Sequence, residues 1–255
     1  MMRNMGQFAE KAAPWATGVI SPEVAIVLPQ SLQLSVLNAT ALEAQQKSVR
    51  ALYHYTRAEV YAVGEYQIEL LGSPKLIILP SPFGLTRSAW ETIRGKVEGG
   101  ATLLVSGPFG EDAHFHPTGR QKEIGLDYEP GPLTIRENLL KWPDGEAQLI
   151  YGGDKTTILN RAVLPDGGAW AEKTLGKGRI LFAPLPLELN DNLQAIGDVY
   201  RYALKAAGVA ATYSTTLHDP GILICPTQFP HATLYVLTSE SGRQEVAFRD
   251  QRSGK

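Results

Sequence analysis

The 255-residue sequence is 44% hydrophobic and 20% charged, with a formal net charge of −2. The apolar content suffices for a full core, and the charge balance excludes a basic surface for nucleic acid or for an anionic membrane. The single cysteine, Cys225, excludes an internal disulfide framework and a thiolate metal cluster. No continuous apolar core of a signal peptide is present, so a cytoplasmic location is favoured.

The first segment, residues 1–20, is predicted to be a lead-in helix. Apolar residues recur in it at helical spacing: Met5, Phe8, Ala9, Ala12 and Ala13. Such a face needs a packing partner, so the segment could equally be the last helix of a larger upstream domain.

A strand, a helix and a second strand are predicted next. The run Glu23–Leu28 is typical of a buried strand, and Glu59–Val63 of the strand that follows. Between them a helix is predicted over Thr40–Arg57, with Thr40 and Glu43 as a capping box. The apolar face of this helix is Leu42, Val49, Leu52 and Tyr53.

The stretch from Pro74 to Gly107 predicts a strand, a helix and a strand. Leu76–Leu79 has no polar alternation, which is typical of a central parallel strand covered on both faces. The helix follows, with either Thr86 as its N-cap or Ser88 and Glu91 as a capping box. Its apolar face is Leu85, Ala89, Ile93 and Val97. Ala101–Val105 then completes a right-handed βαβ unit, and a doubly wound parallel sheet is predicted.

The chain after Val105 is rich in Gly and Pro and is interpreted as a β-rich insertion. Three small antiparallel strands are predicted in it: Gln148–Tyr151, Thr157–Leu159 and Trp170–Thr174. Arg179–Ala183 returns to the parallel sheet. A helix follows over Asn190–Ala207, and Gly208 ends it.

The last part of the chain, residues 212–255, is predicted to be a short β-rich segment. Its strands are Gly221–Cys225, Ala232–Thr238 and Gln244–Phe248. These are too few for an independent sandwich. Either the segment packs on the α/β domain or it belongs to something longer, and truncation is favoured. The predicted units are therefore 1–20, 21–211 and 212–255.

Asp112, His114 and His116 are the weak candidates for a metal site, because alternate residues of a strand share one face. A Gly- and Pro-rich loop without a further His or Cys ligand is more often solvated, so no metal is predicted. The run from Gly152 to Thr156 lacks the spacing of a phosphate-binding loop, and no cofactor is predicted.

Candidate catalytic residues are few. Cys225 is interpreted as a small buried hydrophobe because it lies in a strand-like run. No pair of carboxylates is spaced for glycoside cleavage. Glu188 and Asp191 lie near the carboxyl end of a predicted parallel strand, where open α/β sheets bind ligands. Asp191 is interpreted first as a helix N-cap.

Two runs resemble a known family. The sequences PKLIILPSPFGLTRSAWETIRGKVEGGATLLVSG and LGKGRILFAPLPLELNDN are similar to the middle, trimerisation domain of family 42 beta-galactosidases. The resemblance spans roughly Pro22 to Val209. It implies a flavodoxin-like fold related to class I glutamine amidotransferases, preceded by a catalytic barrel and followed by a β-domain. On this basis 1–18 would be the last helix of the barrel, and 212–255 part of the β-domain.

The chain departs from the amidotransferase pattern at the residues that carry the chemistry. The stretches that match the nucleophile and base read VSGPFG and FAPLPLE, without Cys or His. Of the triad only Glu188 has a counterpart. The glycosidase carboxylates of the family belong to the barrel, which needs about 250 residues of its own, and the chain has no room for it.

The leading hypothesis is a non-catalytic assembly domain of a beta-galactosidase-like glycoside hydrolase, forming a homo-oligomer, with a trimer ahead of a dimer. Exposure of Phe8 and Trp15 would favour self-association. One alternative is a stand-alone hydrolase or amidotransferase-like enzyme that uses Ser106, Glu188 and Asp191. Another is a carbohydrate-binding module with stacking platforms at Trp90, Trp142 or Trp170.

Overall fold

The computed structural model describes residues 10–11, 13–14, 18, 20–240 and 242–254. The strands are β1 Val24–Leu28, β2 Val60–Gly64, β3 Leu76–Leu79, β4 Thr102–Ser106, β5 Glu129–Pro132, β6 Glu137–Trp142, β7 Gly145–Ile150, β8 Asn160–Val163, β9 Ala171–Leu175, β10 Gly178–Ala183, β11 Tyr213–Thr215, β12 Ile222–Gln228, β13 Thr233–Ser239 and β14 Phe248–Asp250. The α-helices are α1 Gln30–Gln33, α2 Asn38–Ala51, α3 Arg87–Glu98, α4 Arg120–Glu123, α5 Lys155–Ile158 and α6 Leu193–Ala206.

A six-stranded sheet forms the centre of the α/β part, in the order β2-β1-β3-β4-β10-β9. The first five strands are parallel, and β9 pairs antiparallel with β10 at the edge. The apolar run Leu76–Leu79 forms β3 as predicted, and all four residues are buried. The mixed α/β architecture with a mainly parallel sheet is therefore confirmed.

Helices cover both faces of this sheet because successive side chains of a strand point to opposite sides. Ile78 packs into one apolar cluster with residues of α2 and α6, such as Ala44 and Ile196. Ile77 packs into the other cluster with residues of α3, such as Ile93. This two-sided burial explains why the strands read as continuous apolar runs in the sequence.

The chain leaves β1 for β2 on one side and returns to β3 on the other side of β1. The strand order therefore reverses between β1 and β3. Loops at the carboxyl ends of strands diverge at such a point, and ligands of open α/β sheets bind there. The loops after β3, β4 and β10 lie at this end of the sheet.

Two predicted capping boxes are wrong. The helix predicted from Thr40 begins at Asn38 without a side-chain cap, and Glu43 forms ion pairs with Lys47 and Lys155 instead. Helix α3 begins after Thr86, whose hydroxyl accepts a hydrogen bond from the backbone N–H of Ala89 at 3.4 Å. The alternative box fails because Glu91 pairs with Arg87.

The buried face of α2 follows the prediction only in part: Leu52, just after the helix, is buried and Val49 packs on the core. Leu42 is 42% exposed, and smaller residues face the sheet instead. They are Ala41, Ala44, Ser48 and Ala51. The helix then continues as a π-helical turn over Leu52–Thr56 and ends at Arg57, which has a left-handed φ of 57°. Sequence periodicity had placed the longer side chains inside because length and apolarity are its only guides.

The insertion contains short antiparallel pairs, β5 with β8 and β6 with β7. The strand predicted over Thr157–Leu159 is wrong, because Lys155–Ile158 forms the short helix α5. The run Ala171–Leu175 is a strand but joins the edge of the main sheet. The last helix begins at Leu193, with Asn192 rather than Asp191 as N-cap.

The C-terminal segment forms two small antiparallel pairs, β11 with β14 and β12 with β13. The hydroxyl of Tyr213 donates to the carbonyl oxygen of Tyr53 at 2.8 Å, which attaches this segment to the α/β part. It also lies 3.2 Å from the carbonyl oxygen of Ile224, within the segment. Most of the predicted lead-in helix, including Phe8 and Trp15, lies outside the described residues. Among the helices that are described, none has the length and apolarity needed to span a membrane.

Gly178 and Gly95 offer a matched test of the packing. A Cβ at Gly178 would lie 2.0 Å from the carbonyl oxygen of Val97, whereas a Cβ at Gly95 in α3 would meet nothing within 4 Å. We expect Gly178→Ala to lower the free energy of unfolding by about 1–3 kcal/mol or more. Gly95→Ala should raise it by about 0.5–1 kcal/mol. Urea unfolding of both variants measures this, and equal effects would contradict the packing.

Candidate functional site

Two of the sequence candidates meet at the carboxyl end of the sheet. Ser106 is the last residue of β4, and Glu188 lies in a 3-10 turn, Leu187–Leu189, after β10. Because β4 and β10 are parallel neighbours, their ends lie side by side. The hydroxyl of Ser106 donates a short hydrogen bond to Oε2 of Glu188.

Three residues that the sequence did not single out complete the cluster. Ser81, in the loop after β3, donates from its hydroxyl to Oε2 of Glu188 at 2.8 Å. The hydroxyl of Tyr200, on α6, lies 2.9 Å from Oε1 of Glu188 and 2.9 Å from the hydroxyl of Ser48, on α2. We call Glu188, Ser106, Ser81, Tyr200 and Ser48 the Glu188 cluster. All of them are 0–1% exposed.

Of the three residues, Ser81 had the clearest signal in the sequence, because it lies between Pro80 and Pro82. In the structure its φ is 43°, a left-handed conformation that is uncommon outside glycine. Its backbone N–H also contacts the hydroxyl of Ser106, at 3.2 Å. Ser48 and Tyr200 were interpretable from sequence only as members of helix faces, since a hydroxyl on a buried face gives no hint of its partner.

The hydrogen bonds of the cluster are compatible with a neutral Glu188. The hydroxyl of Ser48 donates to the carbonyl oxygen of Ala44 at 2.7 Å, so toward Tyr200 it can only accept. The phenol of Tyr200 has one proton, which it can donate either to Ser48 or to Oε1 of Glu188. When the proton goes to Ser48, a hydrogen bond between Tyr200 and Glu188 requires a proton on the carboxyl group.

Burial acts in the same direction. Removing Glu188 from water raises the pKa of its carboxyl group above the ordinary value of 4.5, although the hydrogen bonds from Ser106, Ser81 and Tyr200 oppose the rise. Desolvation is the largest cause, as expected for a carboxyl group without a cation beside it. The net direction is therefore toward the protonated carboxyl group.

The cluster holds elements together and offers no access to a substrate. Neither the Ser106 hydroxyl nor the Glu188 carboxyl has exposed surface. A nucleophile must reach the substrate and needs a base oriented toward it. In the part of the chain that the structure describes, neither His nor Cys joins this hydrogen-bonded group.

Asp191 lies apart from the cluster, in a surface group of charges. Its carboxylate contacts Lys47 at 3.1 Å and Lys155 at 2.6 Å, and it accepts from the backbone N–H of Gly152 at 2.9 Å. Partial burial would raise its pKa, but these partners together lower it to about 2. The interpretation of Asp191 as an N-cap is wrong, because the lysines and Gly152 hold its carboxylate.

The metal candidates do not converge. Oδ1 of Asp112 accepts hydrogen bonds from the backbone N–H groups of His114 and His116, at 2.8 and 3.0 Å. The ring of His116 is exposed and lies 3.5 Å from the other oxygen. The described residues contain no group of three or more His, Cys, Asp or Glu side chains placed for a metal ion.

The tryptophan and cysteine candidates lie wholly or partly in the packed interior. Trp90 is 3% exposed and donates its indole N–H to Glu123 at 2.8 Å, so it is not a stacking platform. Trp170 donates to Glu172, and Trp142 packs partly on the core. Cys225 is half-buried rather than buried, and burial raises the pKa of its thiol.

We expect Glu188→Gln to change how stability depends on pH. The unfolded chain ionises Glu188 above about pH 4.5, whereas the folded protein keeps it protonated to higher pH. The wild type therefore loses free energy of unfolding as pH rises from 4.5 toward the raised pKa. Glutamine cannot ionise, so Glu188→Gln removes this loss.

Urea unfolding between pH 4.5 and about pH 8 measures the difference. Glu69→Gln, at an exposed carboxylate in the 3-10 helix Glu65–Leu71, is the matched control and should keep the wild-type slope. Parallel curves for the wild type and Glu188→Gln would show that Glu188 is ionised in the folded protein.

No family profile and no curated protein matches the sequence. Solved structures do match the fold. A GH42 beta-galactosidase from G. stearothermophilus aligns with a TM-score of 0.63 and 15% identity, over 89% of this chain and 36% of that one. The beta-galactosidase from Bacillus circulans sp. alkalophilus gives 0.63 and 13%, over 90% and 37%. The cold-adapted beta-galactosidase from Rahnella sp. R3 gives 0.66 and 15%, over 96% and 40%.

The chain thus spans well under half the length of these enzymes, and at this identity the likeness concerns the fold alone. The described part of the chain has the fold of a portion of GH42 beta-galactosidases.

Proposed function

We propose that the chain is a non-catalytic assembly domain of a beta-galactosidase-like glycoside hydrolase. The observation that carries the proposal is the partial alignment: about nine tenths of this chain matches little more than a third of a GH42 beta-galactosidase. The trimerisation domain, with its flavodoxin-like and amidotransferase-like fold, is the part of the family whose sequence runs it resembles.

The chemistry of the described residues supports a non-catalytic role. The sheet is open, with β2 and β9 as edges, whereas a glycosidase barrel closes eight parallel strands. Ser106 and Glu188 have no solvent-exposed surface, and the carboxylate of Asp191 forms ion pairs with two lysines. The alternative of a hydrolase using these three residues therefore has no accessible nucleophile to support it.

An exposed apolar patch supports contact between copies. Leu34 and Val36, after α1, are 85% and 95% exposed. Tyr66 and Phe115 line the same shallow groove with them. Among the described residues that line the groove, only His114 and Tyr66 have titratable side chains. Uncharged apolar surface of this kind is typical of protein contacts. We assign this patch to the homo-oligomer, with a trimer ahead of a dimer.

The first prediction from this proposal concerns activity. The purified chain should hydrolyse aryl galactosides, glucosides and arabinosides no faster than the buffer does, because glycoside cleavage needs two facing carboxylates. Glu188 is buried and Asp191 is paired with two lysines, so the sequence candidates do not supply such a pair. Release of nitrophenol measures the rate. Turnover that a single acidic substitution abolishes would overturn the non-catalytic role.

The second prediction concerns assembly. Light scattering across a dilution series should give a mass above that of the monomer, and Val36→Glu should shift the mass toward the monomer by burying a charge at the contact. Ile135→Glu, at a 56% exposed residue away from the patch, is the control and should leave the mass unchanged. A concentration-independent monomer mass for the wild type would refute the assembly role.

A further inference from the structure

A second feature at the carboxyl end of the sheet is a cavity of about 340 Å³. Its walls come from the loops after β3 and β4, from β5, and from the end of α5. The cavity lies beside strands whose carboxyl ends are the usual ligand position in open α/β sheets. Its volume falls at the lower end of the range for small-molecule sites.

Most of the cavity wall is apolar. Phe83 and Tyr128 contribute aromatic rings, and Leu37 and Ile158 contribute aliphatic surface, with three prolines between them. Tyr128 is held firmly, because its hydroxyl hydrogen-bonds to the backbone N–H of Phe109 at 2.7 Å. The wall therefore suits a ligand with a short hydrocarbon or aromatic body.

The loop that carries Phe83 is fixed in a strained conformation. Phe83 has a φ of 44°, and Ser81, two residues earlier, has a φ of 43°. Such conformations are energetically unfavourable and persist where the surroundings impose them. Here Gly84 forms a bridge with Glu111, and the backbone N–H of Leu85 donates to the carbonyl oxygen of Glu111 at 3.3 Å.

The charged groups of the cavity are all acidic. Glu111 and Glu129 line it, and none of its described lining residues is Lys, Arg or His. Glu111 is partly buried and forms no ion pair with any described residue. Burial and the neighbouring charge of Asp112 raise the pKa of Glu111. A partly buried carboxylate without a counter-charge is an unfavourable arrangement that a bound cation would relieve.

We propose that this cavity binds a small organic cation: an ammonium group held by Glu111, with Glu129 at the rim, attached to a short apolar body that lies against Phe83 and Tyr128. An anion would be repelled, and a neutral polyol would leave the carboxylate without a counter-charge. This site goes beyond the assembly role and does not depend on it.

The test uses three probes of the same shape and different charge. These are 2-phenylethylamine, 2-phenylethanol and 3-phenylpropionate, titrated into the full chain by calorimetry or by heteronuclear NMR at neutral pH. The amine should bind roughly tenfold or more tightly than the alcohol, and the acid should not bind. Equal binding of the alcohol and the amine would overturn the proposal, as would binding of the acid.

Two variants locate the site. Glu111→Gln keeps the shape of the side chain and removes its charge, so amine affinity should fall roughly tenfold or more. Glu69→Gln removes an exposed charge elsewhere and should leave the affinity unchanged. An unchanged affinity in Glu111→Gln, at a wild-type unfolding temperature, would overturn the assignment.

Ile158→Trp gives an independent check should Glu111→Gln fail to fold. Ile158 is 55% exposed at the cavity wall, so a larger ring there narrows the opening without burying a polar group. Amine binding should be lost in this variant. Amine binding by Ile158→Trp with wild-type affinity would place the ligand elsewhere and contradict the proposed site.

Discussion

The buried carboxyl group of Glu188 is the interaction on which the carboxyl end of the sheet depends. It joins the loop after β3, the end of β4, the turn after β10 and helix α6, and through Tyr200 it reaches α2. Without Glu188, the buried hydroxyl groups of Ser81, Ser106 and Tyr200 would each lose a hydrogen-bond partner, which costs free energy. The two oxygens of the carboxyl group accept from Ser81, Ser106 and Tyr200, so one side chain serves several elements at once.

The same loop links this cluster to the cavity. Ser81 is fixed by Glu188, and two residues later Phe83 forms part of the cavity wall. Both have left-handed backbone conformations. Hydrogen bonds on the cluster side and the bridge between Gly84 and Glu111 on the cavity side hold the loop between them. The cavity wall is therefore pre-formed, because the strain is balanced by contacts that do not involve a ligand.

The sequence predicted the parallel strands well and the helix ends poorly, for physical reasons. Burial on both faces demands a continuous apolar run, so Leu76–Leu79 was recognisable without its neighbours. Capping depends on competing partners. Glu43 fits a capping box, yet Lys155, which is 112 residues away in sequence, holds its carboxylate. Asp191, interpreted as the helix N-cap, instead forms an ion pair with the same lysine. Long-range ion pairs of this kind leave no local pattern.

The sequence predicted part of the candidate site. Ser106 and Glu188 were recognisable by their position after parallel strands, but position alone does not tell whether a polar group serves a ligand or the fold. The structure separates the two cases by their partners. Glu188 is surrounded by hydroxyl groups that satisfy it. Glu111, at the same end of the sheet, faces a cavity and has no cation among the described residues that line it. Polar groups whose hydrogen bonds are satisfied by other protein groups stabilise the fold. A carboxylate without a counter-charge indicates where a ligand would bind.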